Sequence, residues 1–353
     1  MPEQQILADT VAVIGGGVAG LAAARRLAAE GVDVTVFDKG RGVGGRTSTR
    51  YADGARQFDH GAQYFTVRSK ALADQLEAWI AAGVAAEWTG RLAVIECHAD
   101  GCHLSDPPGP KQRFVGTPGM NAPAKQLAEE LTAAGGRIES GVRVAPLKRS
   151  HGRWGLRSES GDDLGDYAKV LVTAPAPQAA ELLTPSPALS NAAKSVSMSA
   201  CWSAMVAFDD PVAFGAPDQQ GDLAGAFVNG PKDFTALSWI ARDSSKPGRP
   251  EADDRWVLHG SPEWSEANVD IEADQAAASL LESFWKATGA APRQPAYLAA
   301  HRWRHALPAE PLGDRRLADA GMGLFAAGDW CGGPKFEGAF LSGLAAADAI
   351  LNG

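Results

Sequence analysis

The stretch from Val11 to Asp38 constrains this chain most. An apolar run, Val11 to Ile14, reads as a strand. Gly15-x-Gly17-x-x-Gly20 follows, then a helix-like run from Leu21 to Glu30, then a second apolar strand, Val34 to Phe37, that ends on Asp38. Three glycines alone say little. Set between a strand and a helix, with an acidic residue closing the next strand about twenty positions on, they are the fingerprint of a βαβ unit that binds a dinucleotide. Gly15 permits the tight turn out of the strand, Gly17 lets the backbone approach a pyrophosphate, and Gly20 lets the helix pack closely on the sheet. Amides near Ala19, at the positive end of the helix, would face the phosphates. Asp38 would accept from ribose hydroxyls, with Lys39 beside it.

At 353 residues the chain suits about two domains. A net charge of -9 argues against a nucleic acid or an anionic membrane as partner, so an anionic ligand must meet local positive charge. The apolar run from Val11 to Ala24 is too short to cross a bilayer; Glu3 and Asp9 precede it, and glycines interrupt it. The four cysteines, Cys97, Cys102, Cys201 and Cys331, show no disulfide framework, which suits a reducing cytoplasm.

After Asp38 comes Gly40-Arg41-Gly42-Val43-Gly44-Gly45-Arg46-Thr47, a loop able to wrap a flat or phosphorylated ligand, with arginines to pair phosphate or stack on a ring. Its pairing with the first glycine motif resembles the two-glycine-motif flavoproteins of the FAD-dependent amine oxidase and desaturase superfamily. That likeness implies FAD as resident cofactor, held in part by Gly45 and Arg46. The next run, Gln57 to Thr66, is most similar within that superfamily to renalase and its bacterial relatives, where a Gly61-Ala62-Gln63-Tyr64 segment passes beside the flavin ring. His60 reads either as a general base or as a structural hydrogen-bonding residue.

Ser69 to Gly83 reads as a helix, with Leu72, Leu76, Trp79 and Ile80 at helical spacing. Cys97-His98-Ala99-Asp100-Gly101-Cys102-His103 is the one metal-like cluster. Asp100-Gly101 reads as a two-residue hairpin turn that sets Ala99 opposite Cys102 and His98 opposite His103. That separates the cysteines from the histidines, so no metal site is expected. A helix over Ala124 to Ala133 and a strand pair over Arg137 to Leu147 follow; the resemblance implies that the Val144 backbone meets the adenine. Further strands are expected at Trp154 to Ser158 and Tyr167 to Thr173, ending at Ala174-Pro175-Ala176-Pro177.

From Ser190 to Pro295 the chain reads as a second domain. Strands are expected at Trp202 to Phe208, Gly225 to Val228, Phe234 to Ile240 and Trp256 to Ser261, with a helix at Ala273 to Thr288. Asp243 to Asp254 reads as an exposed loop. Trp202, Trp239 and Trp256 suit either a flat pocket or the core. Strand alternation in His301-Arg302-Trp303-Arg304-His305 puts His301, Trp303 and His305 on one face and the arginines on the other. This stretch is either a solvated strand end or a cationic and aromatic wall for a ligand with a ring and phosphates.

Leu324 to Trp330 is another apolar strand ending in Gly328-Asp329, and the resemblance carries to Asp329 the role of holding the ribityl or phosphate side of the flavin. Glu337-Gly338-Ala339 opens a terminal helix whose amides would meet the pyrimidine edge. Many amine oxidases have an aromatic residue two places before that Glu-Gly-Ala. Here it is Lys335, which would repel a protonated amine and favour an anion. Cys331 is not where covalent attachment is seen, so the flavin is expected to be non-covalent.

These readings combine into an α/β chain with a Rossmann-like FAD-binding domain (residues 1–68, 112–185 and 296–353) and a second, β-sheet-rich (α+β) substrate domain (69–111 and 186–295). The implied activity is oxidation of misreduced 2- or 6-dihydro NAD(P), with O2 taking the electrons to give H2O2 and NAD(P)+. Arg302, Trp303, Arg304, Lys335 and His60 are its candidate substrate-side residues. An amine oxidase or desaturase, and a flavin-binding regulatory protein without turnover, are the alternatives.

Overall fold

The computed structural model describes residues 10–53, 56–107, 109, 111–214, 223–231, 235–250 and 253–353. The fingerprint forms as expected: strand Thr10–Ile14, helix Val18–Ala29, strand Asp33–Asp38. Gly20 is required by close approach, since a Cβ there would lie 2.0 Å from the Gly15 carbonyl oxygen.

Thr10–Ile14 sits inside a six-stranded sheet in the order Arg316–Asp319, Leu324–Ala327, Lys169–Val172, Thr10–Ile14, Asp33–Asp38, Arg137–Ser140. All neighbours run parallel except the first pair. Both faces of such a sheet must be covered. Val11 and Val13 pack with Leu27, Leu171 and Ile350 on the side of helices Val18–Ala29 and Lys335–Asn352. Ala12 and Ile14 pack on the other side with Trp154, Leu183 and Leu189, beneath a three-stranded antiparallel sheet (Lys148–Ser150, Arg153–Arg157, Asp163–Tyr167) and two short helices. The terminal helix seats directly on the first one: a Cβ on Gly343 would be 2.1 Å from the Ala19 carbonyl oxygen.

The second sheet has seven strands in the order Tyr297–Pro308, Met198–Phe208, Asp254–Gly260, Leu237–Arg242, Leu223–Asn229, Arg91–His98, Gly101–Ser105. One face carries Trp202, Val206, Leu258 and Trp256 against Leu280 and Phe284 of helix Ala273–Thr288. The opposite face looks toward the first domain. Trp202 and Trp256 are therefore core, while Trp239 belongs to the facing side.

Several expectations are corrected. The sequence points to the first domain for residues 296–353, but strand Tyr297–Pro308 pairs with Met198–Phe208 of the second sheet. The strand expected at 234–240 runs Leu237–Arg242, and Phe234 lies outside the described residues. The stretch from Asp243 is not an exposed loop: Asp243, Lys246 and Arg249 are buried, because each finds an opposite charge. Residues 251 and 252 lie outside the described residues. In the hairpin, His98 faces Gly101 and Cys97 faces Cys102, so the turn is Ala99-Asp100, and the two cysteines form a disulfide.

Candidate functional site

The two glycine motifs touch. Gly44 N donates to the Gly16 carbonyl at 2.8 Å, and a Cβ on Gly45 would lie 3.4 Å from Gly17 Cα. Gly44 and Gly45 both have positive φ, which their lack of a side chain allows. A Cβ on Gly17 would meet no atom of the described residues within 4 Å. The helix that Gly17 opens has no side-chain cap and no acidic residue in its first turn. Open space in front of uncapped amides fits a pyrophosphate.

Asp38 fastens this cradle: its carboxylate accepts from Gly16 N at 2.5 Å and Gly40 N at 2.6 Å, so a ribose would share oxygens that already hold both loops. Lys39 donates to Gln178 Oε1 at 2.9 Å. Val144 pairs with Ser158. The ladder bonds there run from Ala145 N to Arg157 O and from Glu159 N to Arg143 O, leaving the Val144 amide and carbonyl outside that ladder, as a backbone contact to a base requires. Arg46 does not stand free; its guanidinium forks onto Asp329 at 2.7 and 2.8 Å and donates to Ala306 O at 2.8 Å.

The loop Asp59–Tyr64 is fixed from behind. Ala62 N donates to Arg46 O at 2.9 Å, and a Cβ on Gly61 would fall 2.1 Å from that same oxygen. Trp303 Nε1 donates to His60 O at 2.9 Å, and Gln63 Nε2 donates to Asp59 O and Gly61 O. Beneath lies a cluster of side chains fully shielded from water: Lys246 Nζ reaches Asp243 at 2.7 Å, and Asp59 and the Gln63 Oε1 each at 3.2 Å, while Arg249 pairs with Asp59. Burial alone would raise the Asp59 carboxyl, but the Lys246 and Arg249 cations outweigh it and hold the group well below the usual carboxylate range. Asp243 goes the other way: burial pushes it up against the pull of Lys246.

Facing this loop, five adjacent strands of the second sheet carry one transverse row. His301 stands opposite Ser203, Ser203 opposite His259, His259 opposite Trp239, and Trp239 opposite Phe227. The row meets the loop side chain by side chain: His60 with His301 (rings 4.9 Å apart), Gln63 with His259 (3.4 Å), Tyr64 with Trp239 (5.6 Å). Lys246 puts its ammonium on Gln63 Oε1, so the amide nitrogen faces His259 Nε2, which must present its lone pair. Burial, then the Lys246 charge, hold His259 down to about 4; burial, then His301 and Arg50, hold His60 down to about 3. Both rings are neutral at ordinary pH.

The sequence-predicted residues divide. His301 and Trp303 share a face as alternation requires, their rings 4.5 Å apart, and Trp303 stacks on His60 at 5.1 Å, whereas His305 falls where the register with Met198–Phe208 shifts and the alternation is interrupted. Arg302 and Arg304 point away from the site. Arg302 lies over the Trp202 ring and donates to Val269 O at 2.5 Å, and Arg304 pairs with Asp270 at 2.7 Å, so neither is brought to the loop. The Glu337 side chain also serves elsewhere, accepting from Ser69 N and Oγ, each at 2.7 Å, at the start of helix Lys70–Ala81. Gly338 packs against Gly333 O, Ala339 is half-buried, and Lys335 is exposed at the start of the terminal helix with φ 78°. Gly328 N donates to Ser342 Oγ, and burial pushes the Cys331 thiol up. Sequence reasoning missed Ser203, His259, Lys246 and Arg249. For the last two a signal existed, the Asp243-x-x-Lys246-x-x-Arg249 spacing inside a stretch read as solvated.

Among the described residues, no group of three or more His, Cys, Asp and Glu is placed to hold a metal ion, and no helix is long and apolar enough to cross a membrane.

Residues 13–78 match the NAD(P)-binding Rossmann-like domain family, and residues 82–351 match the flavin containing amine oxidoreductase family. The chain belongs to the flavin containing amine oxidoreductases, and its cofactor is FAD. It is a flavin-dependent oxidoreductase. Among solved structures, a provisionally named protoporphyrinogen oxidase from Exiguobacterium sp. 255-15 superposes with a TM-score of 0.79 at 16% identity, covering 98% of this chain and 99% of the other. Cyclohexylamine oxidase from Brevibacterium oxydans IH-35A gives 0.74 at 12% identity, over 98% and 99%. At such identities these two share the fold. Among curated proteins, a 4,4'-diapophytoene desaturase from Staphylococcus haemolyticus is 57% identical over 51 residues, which is 14% of this chain and only 10% of the desaturase.

Proposed function

We propose that this chain is a renalase-type oxidase: it takes a hydride from misreduced 2- or 6-dihydro NAD(P), with a non-covalently held FAD as cofactor. The observation that carries the reading is the row His301–Ser203–His259–Trp239–Phe227 set against His60, Gln63 and Tyr64. It presents neutral imidazoles and aromatic faces, suited to a flat uncharged ring. The carboxylates nearest it, Asp59 and Asp243, are engaged by Lys246 and Arg249, so neither is left to pair a protonated amine.

When bound, FAD supplies the hydride acceptor, and O2 takes the electrons to leave as H2O2. The side chains have a lighter task. A dihydropyridine becomes aromatic on losing hydride, so no general base is needed, and histidines held neutral are no obstacle. Tyr64, Trp239 and Trp303 would fix the plane of the ring, and the network behind Gln63 keeps the loop from yielding when the ring docks.

Mixing the flavin-loaded protein anaerobically with 2- or 6-dihydroNAD(P) should bleach the flavin absorbance within seconds. Bleaching by a primary amine, and not by the dihydropyridines, would replace this reading with that of an amine oxidase.

A further inference from the structure

Strand Tyr297–Pro308 runs past the whole site. Toward its C-terminal end Ala306 O accepts from Arg46, at the phosphate cradle of the cofactor. Its middle holds His301 and Trp303 against His60. At its N-terminal end Tyr297 stacks on Phe58 at 5.3 Å, and Phe58 is directly opposite Arg50 in the short pairing of Arg50–Tyr51 with Gln57–Phe58. Arg50 and Arg46 thus lie toward opposite ends of this strand, with the His60–His301–Trp303 cluster between them.

The two cations differ in what they hold. Arg46 is committed to Asp329. Arg50 is exposed, and among the described residues it makes no hydrogen bond and no ion pair. The neighbouring arginines are occupied: Arg56 and Arg255 pair with Asp253. The Arg50 charge reaches both His60 and His301 and helps to depress their protonation. Beside it His60 Nδ1 is buried and has no hydrogen-bond partner among the described residues. In a chain of net charge -9, a free guanidinium at this position creates a local field for an anion.

We propose that Arg50 is the anion subsite for the phosphate-bearing arm of the substrate, gripping a nucleoside diphosphate group while the dihydropyridine ring lies along the histidine row. This rests on the dihydropyridine reading above. A planar fork matches phosphate oxygens two at a time, which a lysine cannot reproduce. Phosphate duty thereby falls to Arg50 in place of Arg302 and Arg304.

The test compares wild type, Arg50→Ala and Arg50→Lys, all loaded with FAD, on 6-dihydroNAD and on the phosphate-free dihydronicotinamide riboside. ADP-ribose binding is followed in parallel by tryptophan fluorescence. Arg50→Ala should lower kcat/KM for the dinucleotide by about tenfold or more through KM, leave the riboside within about twofold, and weaken ADP-ribose by about tenfold; Arg50→Lys should recover part of the loss. Equal changes on both substrates, or unchanged ADP-ribose binding, would overturn the proposal. If wild type oxidises neither substrate, the dihydropyridine reading falls, and the ADP-ribose titration still decides whether Arg50 is an anion site.

Discussion

Arg46 and Asp329, 283 positions apart, are joined by two parallel hydrogen bonds of 2.7 and 2.8 Å, with the carboxylate only 3% exposed. This fork ties the second glycine motif to the Gly-Asp near the end of the chain, so the cofactor cradle closes only when both are in place. Arg46→Ala leaves a buried carboxylate without its partner and should cost about 1–3 kcal/mol of stability, together with a lower flavin-to-protein ratio after purification. An unchanged melting temperature and flavin content would count against the fork as a closure.

Lys246 balances two buried aspartates. Removing one member of a buried ion cluster leaves uncompensated charge, so Lys246→Met should lose about 3–5 kcal/mol in urea unfolding. Adding Asp243→Asn to that variant should restore part of the loss, because it removes one of the stranded carboxylates. Strictly additive effects of the two changes would show that the groups do not interact.

His60 titrates at about 3 in the fold against an ordinary value of 6.5. The unfolded chain therefore takes up a proton below about pH 6.5 that the native protein refuses until about pH 3. The stability contributed by neutral His60 is complete above pH 6.5 and drains away as the pH falls through that window, by about 1.4 kcal/mol per pH unit. His60→Gln should flatten the fall between pH 6 and 4.5 by about one proton, read from urea midpoints at each pH. Parallel curves for the two proteins would contradict the depressed value.

Lys335 stands exposed and without an ion pair among the described residues, at the start of the terminal helix. On the dihydropyridine dinucleotide proposed above as substrate, Lys335→Tyr should weaken turnover several-fold, mainly through KM, and lessen its dependence on salt. Identical steady-state constants would remove this lysine from any role in admitting anions.

Cys97 and Cys102 are bridged, whereas Cys201 and Cys331 are free, with burial pushing the Cys201 thiol up to about 12. Protein unfolded without reductant should show two thiols to an alkylating reagent, and four after reduction. Four at the outset would mean that the hairpin is not cross-linked.

Much of the cofactor half was legible because its signals are local. Glycine spacing, a strand on each side and a terminal aspartate are fixed within Val11 to Asp38, and they folded as read. Alternation likewise placed His301 and Trp303 on one face. What alternation could not tell was which face met the loop and that Asp270 would claim Arg304. The burial of Lys246 and Arg249 depends on Asp59, nearly two hundred positions earlier, so a segment rich in charge, Pro and Gly looked solvated. In the hairpin a turn placed one residue late was enough to hide the cysteine pair, since register decides every partner beyond it.

The seat of Gly343 on the Ala19 carbonyl has a bearing on how the molecule comes into being. The βαβ unit is synthesised long before helix Lys335–Asn352, which shields its flank. Until that helix is made, a greasy surface waits uncovered while the other domain has time to assemble. Pairings so remote along the chain form slowly and expose the nascent protein to self-association, so helix Lys335–Asn352 works as the latch on a fold begun far earlier in the sequence.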